Sequence, residues 1–216
     1  PTHGATTENV RRYIDFAADH GFSGVLVEGW NVGWDGDWTA NADLFSFTES
    51  YPDFDLPGLA AYAQERGTRL IGHHETSTGI ANYEAQMDDA FDLYREMGVR
   101  AVKTGYVGHG QNIVWTDADG NEHREWHHGQ FMVRHWRKVT QAAAERGIML
   151  NVHEPVHDTG IRRTYPNLMT REGARGQEYN AWSEGNGPSH TTVLPFTRML
   201  ASPMDFTPGI VQLTIE

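Results

Sequence analysis

Four stretches of this 216-residue chain repeat one arrangement of apolar and polar positions. Each starts in a run with helical spacing, passes through a glycine, and enters a short apolar run that stops at a polar or glycine position. The copies read HGFSGVLVE, ERGTRLIGHHE, MGVRAVKTG and ERGIMLNVHE. Gly21 leads to Glu28, Gly67 to Glu75, Gly98 to Gly105 and Gly147 to Glu154. Glycine suits the left-handed residue that closes a helix, and a continuous Val/Ile/Leu run suits a strand buried on both faces. Three of the four strands end in glutamate.

The periodicity predicts a helix opened by Thr7 and Asn9, with Val10, Tyr13, Ile14, Phe16 and Ala17 on its inner face, followed by strand Ser23–Glu28. A polar loop from Gly29 to Asp55 carries Trp30, Trp34 and Trp38. Helix Leu59–Glu65 leads to strand Arg69–His73, and helix Ala81–Met97 to strand Ala101–Gly105. Residues Tyr106–Gly129 read as an insertion containing a hairpin, Ile113–Thr116 with His123–Trp126. Helix Phe131–Glu145 leads to strand Ile148–Val152. Leu168–Thr170 is a further strand candidate, Thr191–Leu200 a final helix, and Met204–Phe206 and Val211–Ile215 short strands. Alternating helices and strands imply a parallel α/β sheet. A doubly wound sheet competes with a barrel, but no G-x-G-x-x-G follows any strand. Carboxylates at one strand end after another fit the single mouth of a (β/α)8 TIM barrel. The barrel is expected to be incomplete here, with its first and last strands outside residues 1–216, inside a larger protein.

Composition narrows the partners. The net charge of −12 disfavours nucleic acid and anionic membrane surfaces. No apolar stretch is long enough to span a bilayer. The absence of cysteine removes disulfides, thiolate zinc sites and thiol nucleophiles. Aromatic residues placed in a Gly/Asn/Asp-rich loop point to ligand contact.

Each carboxylate has an ordinary reading as a solvated residue or ion-pair partner. For Glu172 and Glu178 in REGARGQEY, that reading is a network with Arg171 and Arg175. Glu75 and Glu154, each preceded by histidine at a matched strand end, are harder to dismiss. Alternation along a strand puts His73 on the face of Glu75 and nominally turns His153 away from Glu154. Hard oxygen ligands without thiols suit calcium or magnesium rather than zinc. A pair of carboxyls, one protonated and one ionised, is the apparatus of glycoside hydrolysis. A metal-dependent isomerase or amidohydrolase needs more histidine ligands than these positions supply.

Together VEGWNVGW, IGHHE, VKTGYVG, NVHEP, REGARGQEYNAW and MDFTPG resemble the catalytic barrel of glycoside hydrolase family 97, a family of bacterial α-glucosidases and α-galactosidases. The resemblance implies a (β/α)8 catalytic domain flanked by an N-terminal β-sandwich and a C-terminal β-domain, an α-linked oligosaccharide substrate, and a periplasmic or extracellular setting. Retaining members place a nucleophilic aspartate in a K-x-D pattern where this chain has Lys103-Thr104-Gly105. The resemblance therefore implies the inverting α-glucosidase branch. It makes Glu178 the general acid and Glu75 and Glu154 the bases that activate water. It makes Glu154, Glu172 and Glu178 calcium ligands, and Glu28, His73, Lys103 and His153 substrate-binding residues. A retaining α-galactosidase and an inactive sugar-binding barrel remain the alternatives.

Overall fold

In the computed structural model, which describes residues 3–106, 108, 112–181 and 183–208, the four repeated glycines all close helices in the same way. Gly21, Gly67, Gly98 and Gly147 adopt φ of 73°, 77°, 74° and 66°, a region closed to most side chains. At each, two amides return to carbonyls of the last helical turn. Gly21 N–H donates to Ala18 O and Phe22 N–H to Ala17 O; Gly147 and Ile148 do the same to Ala144 and Ala143. This paired closure turns the chain sharply and sends the next strand back along its helix.

The helices are α1 (Thr7–Asp19), α2 (Leu56–Glu65), α3 (Ile80–Glu96), α4 (Gln130–Glu145) and the short α5 (Pro188–Val193). The strands are β1 (Val25–Leu26), β2 (Leu70–Glu75), β3 (Ala101–Gly105), β4 (Ile113–Thr116), β5 (Glu122–Glu125), β6 (Met149–Val152) and β7 (Leu168–Arg171). β1, β2, β3, β6 and β7 form one parallel sheet in that order, and β4–β5 form a separate antiparallel hairpin. The spatial order of the main sheet follows the chain and never reverses. A doubly wound sheet would reverse at a switch point.

Register decides which side chains meet. His73 lies beside Lys103, Lys103 beside Asn151, and Glu75 beside Gly105. Aligned residues of a parallel pair point to the same face. His73 and Lys103 therefore share one layer, and Glu75 stands over Gly105 in the next. The opposite face is packed: His74, Val102, Thr104, Leu150 and Val152 are at most 1% exposed, against helix residues including Phe91, Tyr94, Met132 and Val139.

Several expectations shift. The first helix is capped by Thr6, whose hydroxyl accepts from Asn9 N–H, and Tyr13 and Phe16 are exposed rather than inward. Asp55 caps α2, which starts at Leu56, one residue before Pro57, the residue whose fixed φ marks a helix start in the sequence. The expected first strand is shorter, and Glu28 follows it in a bend. Thr191–Leu200 is not one helix. α5 ends at Val193, and 3₁₀ turns follow at Leu194–Phe196 and Arg198–Leu200; Pro195 removes an amide donor within the expected span. Met204 makes one parallel bridge to Arg171 instead of a strand. The expected strand Val211–Ile215 lies outside the described residues. Among the described residues the five parallel strands form one open α/β sheet. No helix among the described residues is long and apolar enough to cross a membrane.

Candidate active site

The carboxyl ends of the parallel strands open into a cleft of about 1510 Å³. Glu28, Glu75, Lys103, His153, Glu154, Glu172 and Glu178 all line it. Residues from widely separated parts of the chain thus reach one wall.

At its centre lies Gly105. A Cβ built there would fall 2.0 Å from Glu75 Oε2 and 3.6 Å from Glu154 Oε2. Glu75 therefore occupies space left by the missing side chain, with Glu154 in ordinary contact beside it, the two arriving from either side of β3. Glu75 is 5% exposed, and its Oε1 accepts from Ser77 N–H at 2.6 Å. Glu154 Oε2 accepts from Tyr106 N–H at 3.0 Å. Glu154 has φ of 46°, which is uncommon for a residue with a side chain and costs on the order of 1–3 kcal/mol. That backbone turn breaks the strand alternation. It explains why His153 and Glu154 face the same cleft, where period two would have separated them.

His153, Glu154 and Glu172 each present a ligand atom within 4.8 Å of the others. Asp205 Oδ2 holds His153 Nε2 at 2.6 Å, which turns Nδ1 toward Glu172 Oε1 at 3.5 Å. Burial raises the Glu172 carboxyl above its ordinary value, and Glu154 and Glu178 add to the rise while His153 opposes it. Glu178 lines the same cleft outside this trio, and its buried Oε2 has no hydrogen-bond partner. Three carboxylates, Glu154, Glu172 and Glu178, the last with an orphaned oxygen, are a donor set that fits a hard divalent cation.

At the β1–β3 side, Lys103 Nζ donates to Glu28 Oε1, and His73 Nε2 lies 3.7 Å from the same oxygen. Burial works to raise the Glu28 carboxyl, but His73 and Lys103 prevail and hold it low. Burial also lowers His73 to about 4, so its imidazole is neutral near pH 7. Trp34 packs 5.5 Å from the His73 ring and 5.0 Å from Trp38, and both indoles line the cleft.

These observations coincide with the relationships of the chain. A sequence profile described as Glycoside hydrolase 97 matches residues 1–174. The chain belongs to glycoside hydrolase family 97. A family 97 enzyme from Pseudoalteromonas sp. strain K8, solved in complex with acarbose, is 58% identical, with a TM-score of 0.93 over 98% of this chain and 32% of that one. A glutamate-to-glutamine form of an enzyme from the same strain, solved with panose, has the same identity, TM-score and coverage. The retaining α-galactosidase of Bacteroides thetaiotaomicron is 26% identical over 97% of this chain and 27% of its own length. The chain thus spans about a third or less of the relatives it matches.

Every site residue expected from the sequence borders the cleft or, as with His73, touches a residue that does. The arginine–glutamate network does not form. Arg171 is faced by Asp158, and Arg175 donates to Ser183 and covers the Tyr179 ring. Trp30, expected in a ligand-facing loop, is instead a core residue at 2% exposure, its indole N–H donating to His73 O. Sequence reasoning passed over Asp205, although it lies in the quoted MDFTPG motif directly after the residue that bridges to β7. It also passed over Tyr106, whose amide holds Glu154.

Proposed function

We propose that this chain is an arc of a (β/α)8 barrel and that the protein containing it is an inverting α-glucosidase acting on α-linked oligosaccharides. The observation that carries this reading is the carboxylate of Glu75 standing over Gly105 beside Glu154. A family 97 enzyme that retains configuration is expected to have an aspartate at that position. Here the place of its side chain is filled by a second carboxylate, which suits the activation of water rather than covalent attack.

Glu178 gives its proton to the glycosidic oxygen, and the bond from that oxygen to the anomeric carbon breaks. Water, deprotonated by Glu75 with Glu154, attacks the same carbon from the opposite face, so the product has inverted configuration. Glu28, Lys103 and the neutral His73 hold hydroxyls of the sugar being released, and His153 lies beside them, fixed by Asp205. Glu154, Glu172 and Glu178 would hold calcium; when bound, it supplies charge balance for the crowded carboxylates. Support comes from Glu154 and Glu172, whose carboxylate oxygens lie within 4.8 Å of each other and of a His153 nitrogen, and from the unpartnered Glu178 oxygen. An N-terminal β-sandwich, outside this chain, is expected beside the barrel. Panose, a ligand of a 58% identical enzyme, is itself an α-linked glucose trisaccharide.

A retaining α-galactosidase is the second reading, since curated relatives at 26% and 28% identity bear that name or its probable form. Proton NMR of freshly released sugar distinguishes the two, because inversion of an α-glucoside gives the β-anomer first. In the full-length enzyme, Glu178→Gln is expected to abolish hydrolysis of maltotriose with folding intact. It should spare α-glucosyl fluoride, whose leaving group needs no proton. Unchanged maltotriose turnover would remove Glu178 from the acid's role.

A further inference from the structure

The hairpin β4–β5, which lies outside the parallel sheet, ends in Trp126-His127-His128-Gly129. Gly129 N–H donates to Trp126 O at 2.8 Å and closes these four residues into a tight turn. His127 points inward: it is 5% exposed, and its Nε2 meets the Glu154 carbonyl at 2.8 Å. The turn is thus fastened directly to the backbone of a carboxylate at the centre of the cleft. Trp126 and His128 point outward and line the cleft, and Trp126 is 50% exposed. The His127 and His128 rings are perpendicular, 83° apart at 4.9 Å. His128 lies 6.4 Å from Trp126 and 6.3 Å from His157. His157 reaches the same cleft from the loop after β6.

The Trp126 indole stands half in water on a constrained backbone and fills no core; it lines the cleft beside the His128 ring, where an aromatic face is open to a ligand. Two groups of residues at the cleft differ in chemistry. Those on the β1–β3 side, Glu28, Lys103 and His73, are suited to sugar hydroxyls, with Trp34 and Trp38 beside them. Trp126, His128 and His157, carried by the hairpin turn and the loop after β6, offer flat rings. Pyranose rings have polar edges and apolar C–H faces, so one sugar fits the charged group while the next lays its C–H face on the rings.

We infer that Trp126, with His128 and His157, forms a platform for the leaving-group sugar of an α-linked oligosaccharide, on the far side of the scissile bond from Glu28, Lys103 and His73. This rests on the reading of the cleft as a glycosidase site. Burial and the neighbouring His127 and His157 hold His128 below its ordinary value, so it presents a neutral ring at neutral pH.

The test is Trp126→Ala in the full-length enzyme, assayed with maltotriose and with α-glucosyl fluoride, which has no leaving sugar. The platform requires kcat/KM for maltotriose to fall about tenfold, mainly through KM, equivalent to about 1.4 kcal/mol. Activity on the fluoride should stay within about twofold, and Trp126→Phe should restore most of the loss. Equal losses on both substrates, or none on maltotriose, overturn it. If the wild-type enzyme cleaves only α-galactosides, the α-glucosidase reading fails by itself. The same comparison with raffinose and α-galactosyl fluoride then decides the platform independently, by the same selective loss or its absence.

Discussion

Adding one methyl group at Gly105 tests the site more sharply than removing a carboxylate. The new Cβ would stand 2.0 Å from Glu75 Oε2, where ordinary contact needs roughly 3.5 Å. Gly105 is not among the glycines with positive φ, so alanine meets no backbone obstacle and the clash is the whole effect. Glu75 must retreat by more than about 1 Å, and its 2.6 Å bond from Ser77 N–H opposes that. A displacement of about 1 Å at a reacting centre costs on the order of a hundredfold in rate, or about 2.7 kcal/mol of activation free energy. Glu154, at 3.6 Å, is already in ordinary contact and stays. In the full-length enzyme, Gly105→Ala should therefore lower kcat on maltotriose about a hundredfold, with KM little changed and the circular dichroism spectrum preserved. Gly105→Asp should be worse, since it adds a third anion to the same space, and Glu75→Ala in the same chain should recover its thermal midpoint by making room. A Gly105→Ala enzyme with kcat within threefold of wild type would show that Glu75 does not stand where the geometry places it.

Beneath the site, Lys138 Nζ donates to Glu84 Oε2, Glu84 Oε1 meets His135 Nδ1 at 2.7 Å, and His135 Nε2 meets Tyr106 Oη at 2.9 Å. Tyr106→Phe strands the buried His135 nitrogen and should destabilise the protein by about 1–3 kcal/mol, read from urea unfolding; an unchanged midpoint would count against a structural role for the chain of bonds. The hydrogen bond from His135, opposed by burial and helped by Lys138, depresses the Glu84 carboxyl from 4.5 to about 2. Its stabilisation is present above pH 4.5 and is lost as pH falls toward 2. Thermal midpoints measured from pH 5 to 2 should therefore drop less steeply for Glu84→Gln than for wild type, and parallel curves would refute the assignment.

Much of the scaffold was readable in the residues because its signals are local. Four glycines at helix ends, each followed by an apolar run, forecast four left-handed closures and four strands, and each is present. The same local logic failed where the deciding contact is distant. Tyr13 and Phe16 fit a helical stripe yet are exposed, since periodicity identifies a face without saying what covers it. Trp30 was assigned to ligand contact because it lies in a polar loop, whereas that loop folds back and buries the ring against Phe54 and Tyr94. The gathering of Glu75, Glu154, Glu172 and Glu178 was legible only through repeated strand-end positions and a family resemblance. Their distances were not. The proximity of Glu75 and Glu154 depends on an absent side chain at 105 and on one unusual backbone angle at 154, neither of which periodicity encodes.

That angle links stability to chemistry. Along a regular strand, His153 and Glu154 would point to opposite faces, and one of the two would be lost from the cleft. With Glu154 at φ 46°, both side chains enter it, and three separate contacts hold the residue there. Tyr106 N–H binds its carboxylate, His127 binds its carbonyl, and Glu172 lies 3.5 Å from its amide nitrogen. A strained conformation persists only where its surroundings over-determine it. Here they do so with the residues that directly follow β3 and β7 and with the hairpin turn, which are the segments that bring the amide, the next carboxylate and the rim. The tension in one residue is thus the means by which separate strand ends are kept at a common centre. Relaxing it by loosening any one of the three contacts should disperse the acidic groups before it unfolds the sheet.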